Sequence, residues 1–530
     1  HPAPQRGETI CDFAQDRGQR VKLSDLIKAA KPLSVDPEMA GKKDPEIRSI
    51  HYRSQEVMPG GLFVAIAGHA ADGHDYIDDA IARGAVAVVS QKEINVKTPN
   101  IRVADTRQAL ADMAACFFDN PSERLKVIGI TGTNGKTTTA YLLESILQQA
   151  GFETGVIGTI NYRYAGQTFD NPITTPESLD LQRILAEMLR AGVSHVVMEA
   201  SSHAIDLYRI RNCWFDIAAF INISQDHLDF HGNMESYWAS KKRLFTEYLV
   251  EGPKSGHAVA VINCDSKNGG ELAEIVKVPV IKTGSGLNDT VYATNTQCDR
   301  NGIAGEISMP GGKFHFKSRL VGKHNLENIL CAAGVAYALN VPAGDLRTGI
   351  EAVSVIPGRL EHIENSAGRF VYVDYAHTPD ALENVIKALS AVIQRRIICV
   401  FGCGGDRDKE KRPLMGEIAT RLCDLAVVTS DNPRTEDPMS IIAQIIDGAR
   451  KANCREYSAA DLNNGFKDKG YMVEADRRRA IELGIRVSER GDTVLIAGKG
   501  HETYQILGTS TIDFDDREEA KKALRAVSGQ

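Results

Sequence analysis

No stretch of this sequence approaches the roughly 18 consecutive apolar residues that a membrane-spanning helix needs, so no membrane partner is expected. The first twenty residues, with Pro2, Pro4, Glu8, Asp12 and Asp16, lack the apolar region of a secretory signal. They read as a polar extension, and a cytoplasmic location is the expectation. Basic charge is not in excess either. The 62 Lys and Arg stand against 69 Asp and Glu, a net charge of −7, which argues against a nucleic-acid partner. The run Arg477-Arg478-Arg479 is too short to change this and reads as a solvated helix face. No C-x-x-C pair occurs. The ten cysteines are scattered, several of them in apolar runs such as Ile329-Leu-Cys-Ala-Ala333, so buried thiols in a reducing compartment are expected rather than a zinc site. Internal repeats and low-complexity tracts are also missing.

What is there is 530 residues with 43% hydrophobic content, enough for about three domains of ordinary size. An α/β fold is expected. After the extension at 1–20, residues 21–122 mix short apolar runs (61–67, 84–90) with turn clusters and helical spacing at 78–83 and 106–118, the pattern of a small α/β domain. Pro121-Ser-Glu-Arg124 reads as a linker. The second region, 123–356, opens with a strand at 125–130, a Gly-rich turn, and a helix over 136–150 stopped by Gly151. Further buried strands at 193–198, 217–223 and 258–262 end in polar residues, the layout of a parallel sheet with its site at the strands' carboxyl ends. From 290 to 320 short alternating runs separated by Asn301-Gly302 and Pro310-Gly-Gly312 predict antiparallel hairpins. In the third region, 357–530, strands at 370–373, 396–401, 425–429 and 493–497 alternate with helices, a Rossmann-like doubly wound domain.

The strongest local signal is Thr131-Gly-Thr-Asn-Gly-Lys-Thr-Thr138, between a strand and a helix. Gly132 and Gly135 let backbone N–H groups close around phosphate oxygens, and the helix N-terminus adds its positive end. Lys136 can reach β- and γ-phosphates, and the Thr137 hydroxyl can bind Mg²⁺. Ile130 stands where the general phosphate-loop pattern wants glycine, so the loop is a variant. It is similar to the nucleotide site of the Mur ligases and of their relative folylpolyglutamate synthase.

Other segments fall into that family's order over nearly the whole chain. The resemblance implies an ATP-dependent amide-bond ligase whose central domain is a phosphate-loop ATPase and whose first domain binds uridine. Its ATP contacts would be Gly132, Thr133, Asn134, Gly135, Lys136, Thr137 and Thr138, with Asn328 at the adenine, and Arg359, Asp374 and His377 from Pro357-Gly-Arg-Leu-Glu361 and Asp374-Tyr-Ala-His-Thr-Pro379. Two Mg²⁺ sites are implied at Thr137, Glu199, His227 and a carbamylated Lys241. Glu199 and His227 are read as ending neighbouring strands. Lys136, Glu199, His227 and Lys241 would be the catalytic set; Lys242 beside Lys241 leaves the register open. The Thr174-Thr-Pro-Glu177 loop, through Thr174 and Thr175, together with Ser201, Arg209, Lys241, Ser54 and His69, would hold the UDP-linked precursor. At Arg53-Ser54-Gln55 only the serine matches the family's Asp-Ser-Arg.

Among the siblings, which add L-alanine, D-glutamate, a diamino acid or a dipeptide, Asp431-Asn-Pro-Arg434 resembles the motif that selects meso-2,6-diaminopimelate. A forked Arg434 can clamp a distal carboxylate that lysine lacks. Arg407, Asp431, Asn432, Gly498 and Glu502 complete the implied pocket, although Glu410 departs from the usual glycine. The resemblance therefore implies a monomer acting on UDP-N-acetylmuramoyl-L-alanyl-D-glutamate, meso-2,6-diaminopimelate and ATP. A lysine-adding enzyme, a polyglutamate-type ligase and a non-catalytic scaffold of the same fold stay open as alternatives.

Overall fold

The computed structural model describes residues 20–35, 44–68, 71–299, 302–392 and 395–528. His69 and the extension before Arg20 lie outside the described residues.

Three sheets, each covered by helices on both faces, organise the chain. The first has five strands in the order Ser34–Val35, Asn100–Arg102, Ala85–Ser90, Gly61–Val64, Ser49–His51; all neighbours are parallel except the first pair. Helix Thr106–Phe117 packs Leu110, Met113 and Phe117 against one face, while Ile77 and Ala80 cover the other. The segment 121–124 is no loose linker. It forms a turn in which Pro121 and Ser122 are buried, and the Ser122 hydroxyl accepts a bond from the Trp214 amide at 3.1 Å, pinning the joint to the central sheet.

The central sheet has eleven strands. Its parallel part runs Thr154–Ile157, His195–Glu199, Lys126–Thr131, Ile217–Phe220, Val259–Asn263, Val280–Gly284 and Val291–Asp299. Antiparallel strands extend both edges: Tyr162–Tyr164 and Gln167–Phe169 at one, Gly302–Met309 and Gly312–Ser318 at the other. The hairpins expected between 290 and 320 are thus a continuation of the main sheet. Strand Lys126–Thr131 lies mid-sheet, and the turn at its carboxyl end leads into helix Lys136–Gln149. That helix turns Ala140, Leu143, Ile146 and Leu147 onto the sheet, each large apolar side chain contributing roughly 1.5–3 kcal/mol on burial. Helices Lys323–Ala338 and Ala343–Ala352 cover the same face. Gly349 lies so close that an added Cβ would stand 2.4 Å from the Ile146 Cα, and the Ser145 hydroxyl donates to the Gly349 carbonyl across 204 residues.

The third sheet runs Glu361–Ile363, Phe370–Asp374, Thr493–Ala497, Ile397–Phe401, Leu425–Val428, Gly470–Val473 and Arg455–Glu456, parallel after its first pair. A hairpin, Tyr504–Leu507 with Ser510–Asp513, stands beside it. The arginine run corrects the expectation. Consecutive helical residues point about 100° apart, and in helix Arg477–Val487 the first of the three faces inward. Arg477 is fully buried and pairs with the equally buried Asp516 at 2.7 Å; Arg478 and Arg479 stay exposed. Cys213, Cys331, Cys399, Cys403 and Cys423 are buried free thiols, while Cys298 is exposed.

Candidate functional site

The phosphate loop occupies the end of the central strand, and Gly135 is essential to its shape. Its φ of 87° is left-handed, and a Cβ there would stand 2.1 Å from Asn328 Oδ1. The loop is braced by Asn222, whose Oδ1 accepts from the Asn134 amide at 2.9 Å, and by Thr133, whose hydroxyl meets Tyr237 Oη at 3.1 Å. Thr138, at the start of the following helix, is buried.

Two lysines converge on one oxygen. Lys136 Nζ donates to the carbonyls of Gly132 and Thr133, both at 2.8 Å, and Lys241 Nζ donates to the same Gly132 carbonyl at 3.0 Å. Burial drives the Lys241 amine well below its ordinary range, and the neighbouring Lys136 pushes it further down. Lys136 is also lowered by burial, with Glu199 and Asp226 opposing. Lys241 comes from helix Met234–Arg243 and rests over the Tyr237 ring at 4.5 Å, whereas Lys242 turns away over Trp238. The geometry therefore separates the two lysines that the sequence leaves in question.

Glu199 ends the neighbouring strand as expected. Its buried carboxylate accepts from the Thr159 amide at 3.1 Å and the Thr159 hydroxyl at 2.8 Å. His227 does not end a strand. Strand Ile217–Phe220 stops earlier, and His227 sits in the following loop with a left-handed φ of 56°. It packs edge-on against His203 and lies 3.2 Å from the Asp226 carboxylate. Burial lowers its imidazole to about 3, so it is neutral at physiological pH.

Thr175 joins the 174–177 loop to the central sheet, donating to the Glu199 carbonyl at 2.7 Å and accepting from the Ser201 amide at 3.1 Å. Thr174 meets the Thr159 hydroxyl at 3.1 Å. Arg209 reaches the Thr175 carbonyl, and its Nε lies 3.4 Å from Glu177, which also pairs with Arg107 of the first sheet's helix. Ser54 is buried at the start of a short 3₁₀ turn in the first region. Ser54 is not brought into contact with the residues around Lys136; it sits in a different sheet's environment.

The third region meets the loop from the other side. Arg359 donates to Thr137 Oγ1 at 3.1 Å and lies over the Tyr375 ring at 4.6 Å. Asp374 bonds backbone amides in two turns, one oxygen accepting from Leu360 N of the preceding turn at 2.6 Å and the other from Ala376 N of its own at 2.8 Å. It shapes this turn, as Asp commonly does. His377 is bonded to the Tyr375 carbonyl at 2.7 Å and held neutral by burial, its value lowered to about 4.

A second cluster lies at the carboxyl ends of the third sheet. Asn432 is buried and donates to Glu502 Oε2 at 2.8 Å. The Asp431 carbonyl accepts from Gln505 at 2.7 Å, and a Cβ on Gly498, at φ 117°, would strike the Asp431 carboxylate at 2.5 Å. Arg434, also left-handed at φ 51°, donates through Nη1 to the Gly405 carbonyl at 2.9 Å, and its amide pairs with Ile506 in the hairpin. Arg407 donates to the Asp406 carbonyl; burial and the nearby Arg434 lower its guanidinium. Two cations, Arg407 and Arg434, and one carboxylate, Glu502, thus gather around Tyr504, an arrangement able to grip a molecule bearing carboxylates and an ammonium.

Four residues outside the expected set join these clusters. Asp380 accepts from Asn134 Nδ2 at 2.9 Å and from Ser224 Oγ at 3.0 Å, bonding the third region to the phosphate loop. Asp226 is buried. Burial opposes its charge, but His227, His377 and Lys411 bring its value down to about 2. Lys411, which acts on Asp226, and Lys499, which bonds Glu502, are both buried. Lys411 and Lys499 occur inside motifs visible in the sequence, whereas Asp380 gives no signal beyond an acid in a helix's first turn. Among the described residues no group of three or more His, Cys, Asp or Glu forms a preassembled metal cage, and no helix is long and apolar enough to cross a membrane.

Comparison with known proteins matches this architecture throughout. Family models match residues 46–118 (Mur ligase family, catalytic domain), 130–336 (Mur ligase middle domain) and 358–500 (Mur ligase, glutamate ligase domain). The UDP-N-acetylmuramoyl-L-alanyl-D-glutamate–2,6-diaminopimelate ligase of Geobacter metallireducens is 47% identical over 512 residues, covering 96% of this chain and 99% of the relative. The ligase of the same name from Geobacter sulfurreducens is 46% identical, with 96% and 99% covered. A solved structure of a ligase of that name superposes with a TM-score of 0.65 at 29% identity, covering 96% of this chain and 99% of the other. The MurF ligase of Thermotoga maritima, solved with ADP, shares the fold at a TM-score of 0.61 and 21% identity, with 90% and 97% covered. With its phosphate loop, its three sheets and these full-length matches, the chain belongs to the Mur ligase family.

Proposed function

We propose that this protein is a cytoplasmic, monomeric ATP-dependent ligase that joins an amine of meso-2,6-diaminopimelate to the D-glutamyl γ-carboxylate of UDP-N-acetylmuramoyl-L-alanyl-D-glutamate. Residues 21–122 would hold the uridine end, 123–356 the ATP and 357–530 the amino acid. The observation that carries the reading is the closeness of two clusters: Lys136 of the phosphate loop acts on His227, which packs against His203, and Arg407 of the third region acts on His203 and Asp229 beside it. The names of the relatives supply the substrates.

The donors suit Mg²⁺. That ion commonly takes one or two carboxylates and completes its shell with phosphates and water, so it needs no preassembled cage. Thr137 and Glu199 offer oxygens, and His227 offers a neutral nitrogen. Lys241 suits a carbamate. A buried neutral amine can take up carbon dioxide with loss of a proton, placing an anionic oxygen donor beside Lys136. The metal would supply charge neutralisation at the transferring phosphoryl group.

In the reaction, the precursor carboxylate attacks the γ-phosphate in line, giving an acyl phosphate and ADP. The loop's amides and Lys136 stabilise the charge developing on the phosphoryl oxygens. Thr174, Thr175, Ser201 and Arg209 hold the precursor so that its carboxylate meets the phosphate. Arg407 and Arg434 take the carboxylates of diaminopimelate and Glu502 its distal ammonium, leaving the other amine to attack the acyl carbon. The tetrahedral intermediate collapses to amide and phosphate.

The test is phosphate release from ATP with UDP-N-acetylmuramoyl-L-alanyl-D-glutamate, comparing meso-2,6-diaminopimelate with L-lysine. Release coupled to product only with diaminopimelate is expected. Preference for lysine would overturn the role of Arg434, and no turnover with either would overturn the ligase reading.

A further inference from the structure

Lys499 is a fully buried lysine that the proposed reaction does not use. Its ammonium donates to Glu502 Oε2 at 2.9 Å and to Asn432 Oδ1 at 3.2 Å, and stands 5.3 Å from the centre of the Tyr504 ring. Asn432 completes a triangle by donating Nδ2 to the same Glu502 oxygen at 2.8 Å. Its Oδ1 also accepts from the Ile506 amide at 3.0 Å, so the amide group is oriented by donors on two sides. Both bonds to Glu502 fall on Oε2, and Oε1 carries neither of them. Because Lys499 has no exposed surface, it acts on a bound molecule only through these neighbours.

We propose that Lys499 is a positioning residue that holds Glu502 as a carboxylate, with Oε1 presented to the distal ammonium of the amino-acid substrate. This rests on the amino-acid pocket proposed above. A buried carboxylate is costly unless it is paired. The groups facing Glu502 are Lys499, Asp431, Asn432, Arg477, Tyr375 and Tyr504. Burial pushes the Glu502 carboxyl up, Asp431 adds to the rise, and Lys499 is the strongest influence in the other direction. Asn432 cannot replace it, because a neutral amide lacks the charge. Removing the ammonium therefore shifts Glu502 toward the protonated form, which cannot accept an ionic bond from the substrate unless a proton is first released. Lys499, on the 498–502 loop, also reaches across to Asn432 on the 431–434 loop, so it ties the two loops together as well as setting their charge.

The experiment uses the full-length enzyme and the variants Lys499→Met, Glu502→Gln and the double variant. At neutral pH, Lys499→Met should raise KM for diaminopimelate on the order of tenfold or more, as expected when one partner of a buried pair is lost. KM for ATP should stay within about twofold, since the phosphate loop is untouched. The ratio of variant to wild-type KM should fall as pH rises and Glu502 ionises. In the Glu502→Gln background, Lys499→Met should have little further effect on that KM. A KM increase that is flat with pH, or that persists undiminished in the Glu502→Gln background, would overturn the proposal and leave a purely structural lysine. A second readout is independent of substrate: the infrared difference spectrum of Lys499→Met minus wild type at neutral pH should gain a protonated-carboxyl band that disappears in the double variant. If that band appears while wild type fails to turn over diaminopimelate, the charge coupling stands and the substrate reading fails; if the band is missing, the coupling itself is wrong.

Discussion

The phosphate loop and the carboxyl-terminal pocket handle buried charge in opposite ways. At the loop, Lys136 and Lys241 crowd onto the Gly132 carbonyl, and burial disfavours both ammoniums. In the pocket, charges come in pairs: Lys499 with Glu502, Arg412 with Glu436 at 2.8 Å, and Arg477 with Asp516. At the first site burial favours the neutral amine of Lys241 and disfavours a second ammonium beside Lys136. The second is built before binding, and its paired charges fix the positions of the few groups left to contact the substrate. One site thus sheds charge on burial, and the other keeps it by pairing.

The comparison breaks most sharply at Arg477. Its guanidinium holds Asp516 and also donates to the carbonyls of Ser430 and Ala497, the residues preceding both pocket loops. Arg477→Met should cost about 3–5 kcal/mol of stability, because Asp516 is left buried without its partner. Urea unfolding measures this; a loss under about 1 kcal/mol would mean that the pocket does not depend on its pairs. Lys136→Ala should lower kcat by about a hundred- to a thousandfold with the folded state intact, read from phosphate release and circular dichroism. Near-normal turnover would remove the loop from the chemistry. Arg434→Ala should raise KM for diaminopimelate by roughly thirtyfold, the effect of about 2 kcal/mol lost with a charged contact, and narrow the preference over lysine. An unchanged preference would place selection elsewhere.

A pH-dependent effect is expected at Glu436. Arg412 lowers its carboxyl to about 2, against the opposing influence of burial. A depressed carboxyl stabilises the fold fully above its unfolded value of about 4.3, and the contribution fades as pH falls toward about 2. Glu436→Gln should therefore unfold at a lower urea concentration than wild type at pH 7, with the gap closing between about pH 4 and pH 2. A gap that is constant with pH would dissociate Glu436 from that titration.

Contiguity decides what the sequence makes legible. The phosphate loop is readable because one short segment holds its glycines, lysine and threonine between a strand and a helix, and the model keeps that order. The strand expected at 493–497 has those limits in the fold. Less visible are features made by distant partners. Arg477 reads as solvated because its acid lies 39 residues away. Asp380 carries no motif, since its partners Asn134 and Ser224 belong to another sheet, 246 and 156 residues away. Asp374 occurs within a recognisable motif, yet its oxygens serve backbone amides, one in its own turn and one at Leu360, 14 residues earlier, which only geometry reveals. Strand Thr154–Ile157 is four residues long and gives too few alternations to be read beside the long helix before it.

The bond between Ser145 and Gly349 has a consequence for the order of events on the ribosome. The helix that carries the phosphate loop is buttressed by residues made 204 positions later. At typical synthesis rates that interval is about 10–40 s. Throughout it the loop's sequence is complete, but one wall of its core is not. The loop's helix therefore gains that wall only after helix Ala343–Ala352 has emerged, and Arg359 and Asp380, which also bond the loop, follow later still.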